Sequence, residues 1–475
     1  MQKKYFILTT IIGALLIFSL LPILNYKTDP SRILHRDYKT RYKKFHPHKL
    51  FLKVAYLLDH KNQYDTLVYG SSRGGFMDVS LISKDAYNMS HGFGTVTTYL
   101  HSLKSLLNNG VEVKNVWIGI NDFVIWKDHT DSLPRLINHN SILKNLEIYS
   151  YWLFRFIPES LNIFKNNTPL IQTTEVTNPH DRIVRARVQE KPIKGANRNI
   201  LAAPLGYTGQ FRIDKAIDEI NQIKKLCDEH NITLTAFIYP TYYKTYLRYD
   251  QSKMEEFKRK LVSIVDFYDF YHLGDIATNQ DNWFEGSHFV PSIGDYIIKN
   301  IQKNNFLVTQ KNIEAHLTQI HPSIKNFNTL PSNSIFHINP SFNLDDYPII
   351  FDINNSKFRY IKNDEVSFKK DKDTIIATVT QNDPQIILNQ TKTKLKHTVL
   401  SFSMISTKAT QFQIYLKKEK TSKYLENYKH SVHIKKGFNQ FRLMIPGEYI
   451  NNSLRVDFVK DIGVYKIKEF KIRTF

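Results

Sequence analysis

Apolar residues recur along this chain in three rhythms. Tyr5 to Leu24 is an uncharged, almost wholly apolar run. From about residue 62 to 304, short continuous apolar stretches, "DTLVYG" (65–70), "NVWIGI" (115–120) and "ITLTAFIYP" (232–240), alternate with helical spacings. Ile213 to His230 places Ile213, Ile217, Ile220, Ile223 and Leu226 on one helical face, and Met254 to Val265 has the same character. Continuous apolar strands separated by helices predict a parallel sheet covered on both faces, hence an α/β domain. Beyond residue 334 the period is two: Phe412, Ile414 and Leu416 alternate, as do Phe441, Leu443 and Ile445, then Leu454, Val456 and Phe458. Such runs with turn residues between them predict a β-sandwich.

Breaks in these rhythms set the expected domain limits. Residues 1–24 form a transmembrane signal anchor, since an apolar helix of that length crosses a bilayer, at about 1.5 Å per residue. A cleaved signal peptide is the competing reading, but no small-x-small site follows "LLPILNYKT". A basic stalk spans 25–60, the α/β domain 61–305, a linker 306–333 and the sandwich 334–475. Within the α/β domain the alternation lapses over about 127–211. That stretch reads as an insertion, with six basic residues, Arg182, Arg185, Arg187, Lys191, Lys194 and Arg198, available to an anionic polymer or simply solvated.

At 475 residues, 42% of them hydrophobic, the chain has material for more than one core. Its formal net charge of +21 favours polyanionic surroundings without choosing among lipid, glycan and nucleic acid. Nucleic acid ranks last, because no recognition motif accompanies the charge. Cys227 is the only cysteine, which excludes an intrachain disulfide and a cysteine-based zinc site, and its helical context predicts a core-facing thiol. No cofactor or metal is expected.

Four segments carry candidate chemistry, and all fall where strands of the α/β sheet should end. "DTLVYGSSRGG" (65–75) runs a strand into a Ser-Ser turn between glycines. "AYNMSHGFGT" (86–95) holds Gly92 and Gly94, "IGINDF" (118–123) places Asn121 beyond a strand, and "NWFEGSHF" (282–289) sets Glu285 three residues before His288. Together they suit an activated serine: Ser72 attacks an acyl carbon, His288 takes its proton and Glu285 orients the imidazole. The Ser72 amide, a glycine amide from 92 or 94 and the Asn121 carboxamide can stabilise the oxyanion. The bland alternatives are a Ser/Gly turn, a capping role for Asn121, and a solvated or paired Arg73.

In order and spacing these blocks resemble the SGNH hydrolase superfamily, with its Gly-x-Ser turn, glycine loop, Gly-x-Asn-Asp loop and Asp-x-x-His segment, over about 240 residues. Here Glu285 stands where that family has Asp, with Asp281 as a conceivable substitute. The resemblance implies a three-layer, flavodoxin-like domain. With the anchor and the sandwich, it is similar to the membrane-anchored branch that O-acylates cell-envelope polysaccharides. That branch implies an extracytoplasmic catalytic domain on a single-pass anchor in the cytoplasmic membrane, an envelope polysaccharide as acceptor and a membrane-bound O-acyltransferase as acyl donor. An O-acetylesterase with the same residues and a non-catalytic glycan-binding or scaffold protein are the other readings.

Overall fold

The computed structural model describes residues 5, 19–126, 141–178, 200–202, 211–320, 335–340, 342–355, 360–388, 397–417, 424, 429–451 and 453–474. The continuous apolar stretches become the strands of one six-stranded sheet: β1 (Thr66–Tyr69), β2 (Ala86–Asn88), β3 (Asn115–Ile120), β4 (Thr233–Ile238), β5 (Phe267–Asp269) and β6 (Leu307–Val308). Their order is β2-β1-β3-β4-β5-β6, parallel from β2 to β5, with β6 antiparallel on the β5 edge. β1 is buried along its whole length, as is β3 from Val116 onward, which explains why neither alternates polar with apolar.

Helices α1 (Lys49–Asp59), α2 (Val96–Asn108), α3 (Ile213–Glu229), α4 (Gln251–Val262) and α5 (Pro291–Gln302) lie along this domain. On α3 the buried positions are Ile213, Ala216, Glu219, Ile220, Ile223 and Cys227. Burial pushes the Cys227 thiol up to about 12, so it stays neutral, an inert core group. Glu219 is tolerated inside because Arg212 donates to it at 2.6 Å and Thr97 at 2.9 Å. Deep under the sheet edge, Asp269 meets Lys258 at 2.5 Å and His316 at 2.8 Å. Burial would raise its pKa, but those two partners overcome that and hold the carboxyl at about 2.

The chain after residue 334 forms two antiparallel sheets. Its strands are β7 (Phe336–Ile338), β8 (Ile349–Asp352), β9 (Tyr360–Lys362), β10 (Val366–Asp371), β11 (Thr374–Val379), β12 (Ile386–Leu388), β13 (His397–Ser406), β14 (Thr410–Tyr415), β15 (Lys429–Ile434), β16 (Gly437–Pro446), β17 (Leu454–Asp457) and β18 (Gly463–Thr474). One sheet runs β10-β11-β18-β13-β16-β7 with β8 also on β18, the other β9-β12-β17-β14-β15. Their inner faces share a core that includes Phe402, Phe412, Phe441 and Phe470. Phe336, Ile338, Leu344 and Met444 belong instead to the core of the parallel-sheet domain. The Asn339 N–H also donates to Leu247 O at 2.7 Å, so the sandwich is fastened to that domain.

Three expectations are corrected here. The chain is not described by a three-layer flavodoxin-like α/β class with a parallel sheet: antiparallel sheet predominates, and the six-stranded sheet itself is mixed. The reason is the weight of the period-two segment, which folds into two large sheets. Second, no helix among the described residues is long and apolar enough to cross a membrane. Most of the expected anchor, 1–4 and 6–18, lies outside those residues, while Tyr5 and residues 19–28 are helical. The transmembrane helix and the single-pass, extracytoplasmic localisation are therefore withdrawn. Third, residues 25–60 are no stalk. Thr40–Tyr42 pairs with Leu170–Gln172, and Leu50 through Leu58 on α1 are buried in the core. Of the insertion, 141–178 is described, whereas its six basic residues, 182–198, lie outside.

Candidate functional site

β1 ends at Tyr69; Gly70 follows, and Ser71 then caps a short 3-10 turn, Ser72–Phe76, by accepting the Arg73 N–H at 3.2 Å. Ser72 opens that turn, so its own N–H has no acceptor within it. The glycines here answer to crowding, since none has a positive φ. A Cβ on Gly70 would lie 2.5 Å from the Tyr239 hydroxyl and 2.7 Å from Ser90 Oγ. Gly74 and Gly119 face the same phenol, so Tyr239, at the end of β4, is wedged beneath the serine turn. Burial raises the Tyr239 pKa, which keeps its hydroxyl protonated.

The last block folds into a tight loop closed by a bridge between Trp283 and Phe289 and by the Phe284 N–H donating to His288 O at 2.9 Å. This loop brings His288 Nε2 to 2.7 Å from Ser72 Oγ, across 216 residues of sequence. On its other edge, His288 Nδ1 hydrogen-bonds Glu285 Oε1, while Glu285 Oε2 accepts the Ser287 N–H at 2.8 Å. Burial works to raise the Glu285 pKa, but the hydrogen bond and charge of His288, the Ser287 N–H and Arg73 outweigh it and hold the carboxyl below its ordinary value. The imidazole also packs on Phe76, ring centroids 5.5 Å apart. Asp281 has no hydrogen bond to His288; its N–H is held by Asn279.

Asn121 precedes the turn Asp122–Ile125 but makes no side-chain cap there. Its Oδ1 instead accepts the Ser71 hydroxyl at 2.8 Å. That bond takes up the oxygen end of the carboxamide, which leaves the Asn121 NH₂ as its donor end. The second block separates its two glycines. The Gly94 N–H donates to His91 O at 3.3 Å, and a Cβ there would meet Gly70 O at 2.5 Å. Gly92 is exposed, has open space around it, and its N–H has no acceptor among the described residues. Of the two, Gly92 keeps a donor to offer.

Arg73, together with residues that sequence reasoning missed, holds this arrangement. Arg73 is buried and spoken for: it donates to Ser287 O at 2.8 Å, Thr241 Oγ1 at 3.1 Å and Asp122 Oδ2 at 3.1 Å. It therefore ties the serine turn to the histidine loop, and Thr245 Oγ1 adds a bond to Gly286 O at 2.8 Å. Lys53, on α1, reaches Asn88 O at 2.5 Å and Ser90 O at 2.8 Å, while Asn88 Nδ2 donates to Gly74 O at 2.9 Å. A lysine on an apolar helix was the one available signal; Tyr239, between Ile238 and Pro240, offered none. Among the described residues, no group of three or more His, Cys, Asp or Glu side chains is placed to hold a metal.

No protein-family model matches the chain, and no curated protein matches it. Among solved structures, the chain is similar to carbohydrate-binding modules. A family 29 module from Piromyces equi is 11% identical, with 30% of this chain and 89% of that one covered and a TM-score of 0.21. A structure titled "CBM4 structure and function" is 7% identical, covering 26% of this chain and 82% of that one, TM-score 0.20. A third, titled "BiXyn10A CBM1 APO", is 12% identical, covering 24% and 89%, TM-score 0.20. At such scores the likeness carries neither fold nor ligand over to this chain.

Proposed function

We propose that the chain is a serine-dependent acyl-transferring enzyme with Ser72 as nucleophile. The observation that carries this reading is the unbroken hydrogen-bond relay from Glu285 through His288 to Ser72. As Ser72 Oγ attacks an ester carbonyl, its proton passes to His288 Nε2, and the carboxylate of Glu285 steadies the resulting imidazolium. The Ser72 and Gly92 N–H groups and the Asn121 NH₂ are the donors available to the oxyanion. Collapse breaks the ester C–O bond, the leaving alcohol takes the proton from His288, and an acyl group stays on Ser72. Water then regenerates the serine in an esterase, whereas a sugar hydroxyl does so in a transferase. The resemblance of the four blocks to SGNH enzymes favours O-acetyl groups on polysaccharide hydroxyls as the substrate class.

Labelling with a fluorophosphonate tests this. Modification of the protein at Ser72, lost in Ser72→Ala and His288→Ala, supports the nucleophile. A folded wild-type chain that resists the reagent and hydrolyses no acetyl ester would remove it. The second reading, a protein that binds a glycan without turning it over, is favoured by one observation, the polar outer face of the five-stranded sheet.

A further inference from the structure

Period-two alternation sends Phe412 and Ile414 of β14 into the sandwich core, so Gln411, Gln413 and Tyr415 point to the other side. An outer face in water should leave such residues exposed. Gln411 is exposed, yet Gln413 is only 4% exposed, Tyr415 7%, and Asp457 on the neighbouring β17 only 4%. Together with Asn382, Asp383, Lys429, Val459 and Lys460 these three line a cavity of about 330 Å³.

Register places these groups in two rows. Gln413 stands between Ser431 of β15 and Asp457, and Tyr415 between Lys429 and Arg455. Each side chain is locked by another. Arg455 Nε donates to Asp457 Oδ1 at 2.9 Å and its NH2 to Oδ2 at 2.7 Å, and the same guanidinium reaches Asp383 and lies 4.5 Å from the Tyr415 ring centroid. The Tyr415 hydroxyl donates to Gln413 Oε1 at 3.2 Å, and Gln413 Nε2 donates to Gln411 Oε1 at 3.1 Å.

The result is a braced floor with hydrogen-bonding capacity to spare in the carboxylate lone pairs of Asp457 and Asp383. Vicinal sugar hydroxyls, each both donor and acceptor, match such a surface. The volume stands at the small end of ligand pockets, about 300–1,000 Å³. We infer that this cavity is a carbohydrate-binding site that takes one sugar unit of a glycan through its hydroxyls, with Asp457 and Gln413 as the floor. This rests on the glycan-binding reading of the sandwich and not on chemistry at Ser72. Preorganised side chains suit the task, since little is lost on ordering them at binding.

The test is affinity electrophoresis of the full chain through gels containing a neutral glucan, a neutral mannan or a polyuronate. The wild type should be retarded by at least one polymer. Gln413→Ala and Asp457→Asn should each weaken that retardation about tenfold or more, with unchanged near-ultraviolet circular dichroism and Ser72→Ala still bound like wild type. Asn382→Ala, an exposed residue with no hydrogen bond of its own to Arg455, should weaken it by a smaller factor and guards against a misfolded floor. Retardation by none of the three polymers overturns the inference together with the glycan-binding reading. Retardation that all three cavity variants retain overturns the cavity alone.

Discussion

The corner at Ser72 and the cavity above Gln413 are both polar clusters set on apolar cores, but they are assembled in opposite ways. The corner draws on the ends of β1, β2 and β3 and the loop before α5, converging from residues as far apart as Ser72 and His288. Buried cross-braces such as Arg73–Asp122 hold those segments together. The floor of the cavity draws on three adjacent strands in register, so its groups are neighbours by sheet geometry and brace one another directly. Convergence builds a relay aimed at one atom, whereas register builds a surface of repeated contacts. The first arrangement suits a reaction, and the second suits holding a ligand.

The largest expected effect separates the two regions outright. Ser72→Ala and His288→Ala should each lower acetyl-ester turnover by roughly 10³-fold or more, because nucleophile and base act as a unit, and should leave polymer retardation untouched. Loss of retardation in Ser72→Ala would erase the distinction.

The oxyanion donors come next. Asn121→Ala should cost roughly 10²-fold in kcat. Ser71→Ala should cost less, about tenfold, by freeing the carboxamide to turn, with KM for a small ester unchanged. Equal stability loss with intact kcat would show Asn121 to be a structural residue. Glu285→Gln should slow turnover while Asp281→Asn leaves it near wild type; the reverse order would reassign the carboxylate.

Crowding at the corner predicts a stability effect without a counterpart in the cavity. Gly70→Ala should destabilise the chain by about 1–3 kcal/mol in urea unfolding, because its methyl meets Tyr239 and Ser90. Adding Tyr239→Phe and Ser90→Ala should recover part of that loss. No recovery would mean that backbone conformation, not space, requires glycine there.

A last effect, read through pH, lies where the two domains meet. Burial, then His430 and Arg248, pull the His337 pKa from 6.5 to about 4. The unfolded chain therefore binds a proton between those values that the folded chain refuses, so stability should decline as pH falls from 6.5 towards 4 and level off below. His337→Phe should flatten that part of the melting-temperature profile, and an unchanged slope would place the effect elsewhere.

Much of the corner was legible in the sequence because its chemistry sits in short local patterns. Continuous apolar runs marked β1, β3 and β4, and Ser72, Asn121, Glu285 and His288 each stood just past a predicted strand or within one tight loop. What escaped notice acts at a distance. Lys53 looked like part of a basic stalk, yet its ammonium caps the carbonyls of Asn88 and Ser90. Arg73, read as solvated or paired, has partners that no local pattern named: Ser287 O, Thr241 and Asp122. Tyr239 ended an apolar strand like any aromatic residue, and nothing local told that three glycines make room for it.

By itself, then, the sequence determined what depends on near neighbours: which segments are strands or helices, that Cys227 is an inert core thiol, and that Glu285 and His288 face one another. Periodicity and short loops encode such facts within a few residues. Tertiary structure alone decided which glycine of the second block keeps its N–H, that Asn121 answers to Ser71, that residues 25–60 belong to the core, and that antiparallel sheet predominates. It also decided that Gln413 and Asp457 share a cavity. Each of these turns on which distant groups compete for one donor, one acceptor or one volume, and that competition exists only once the chain has packed.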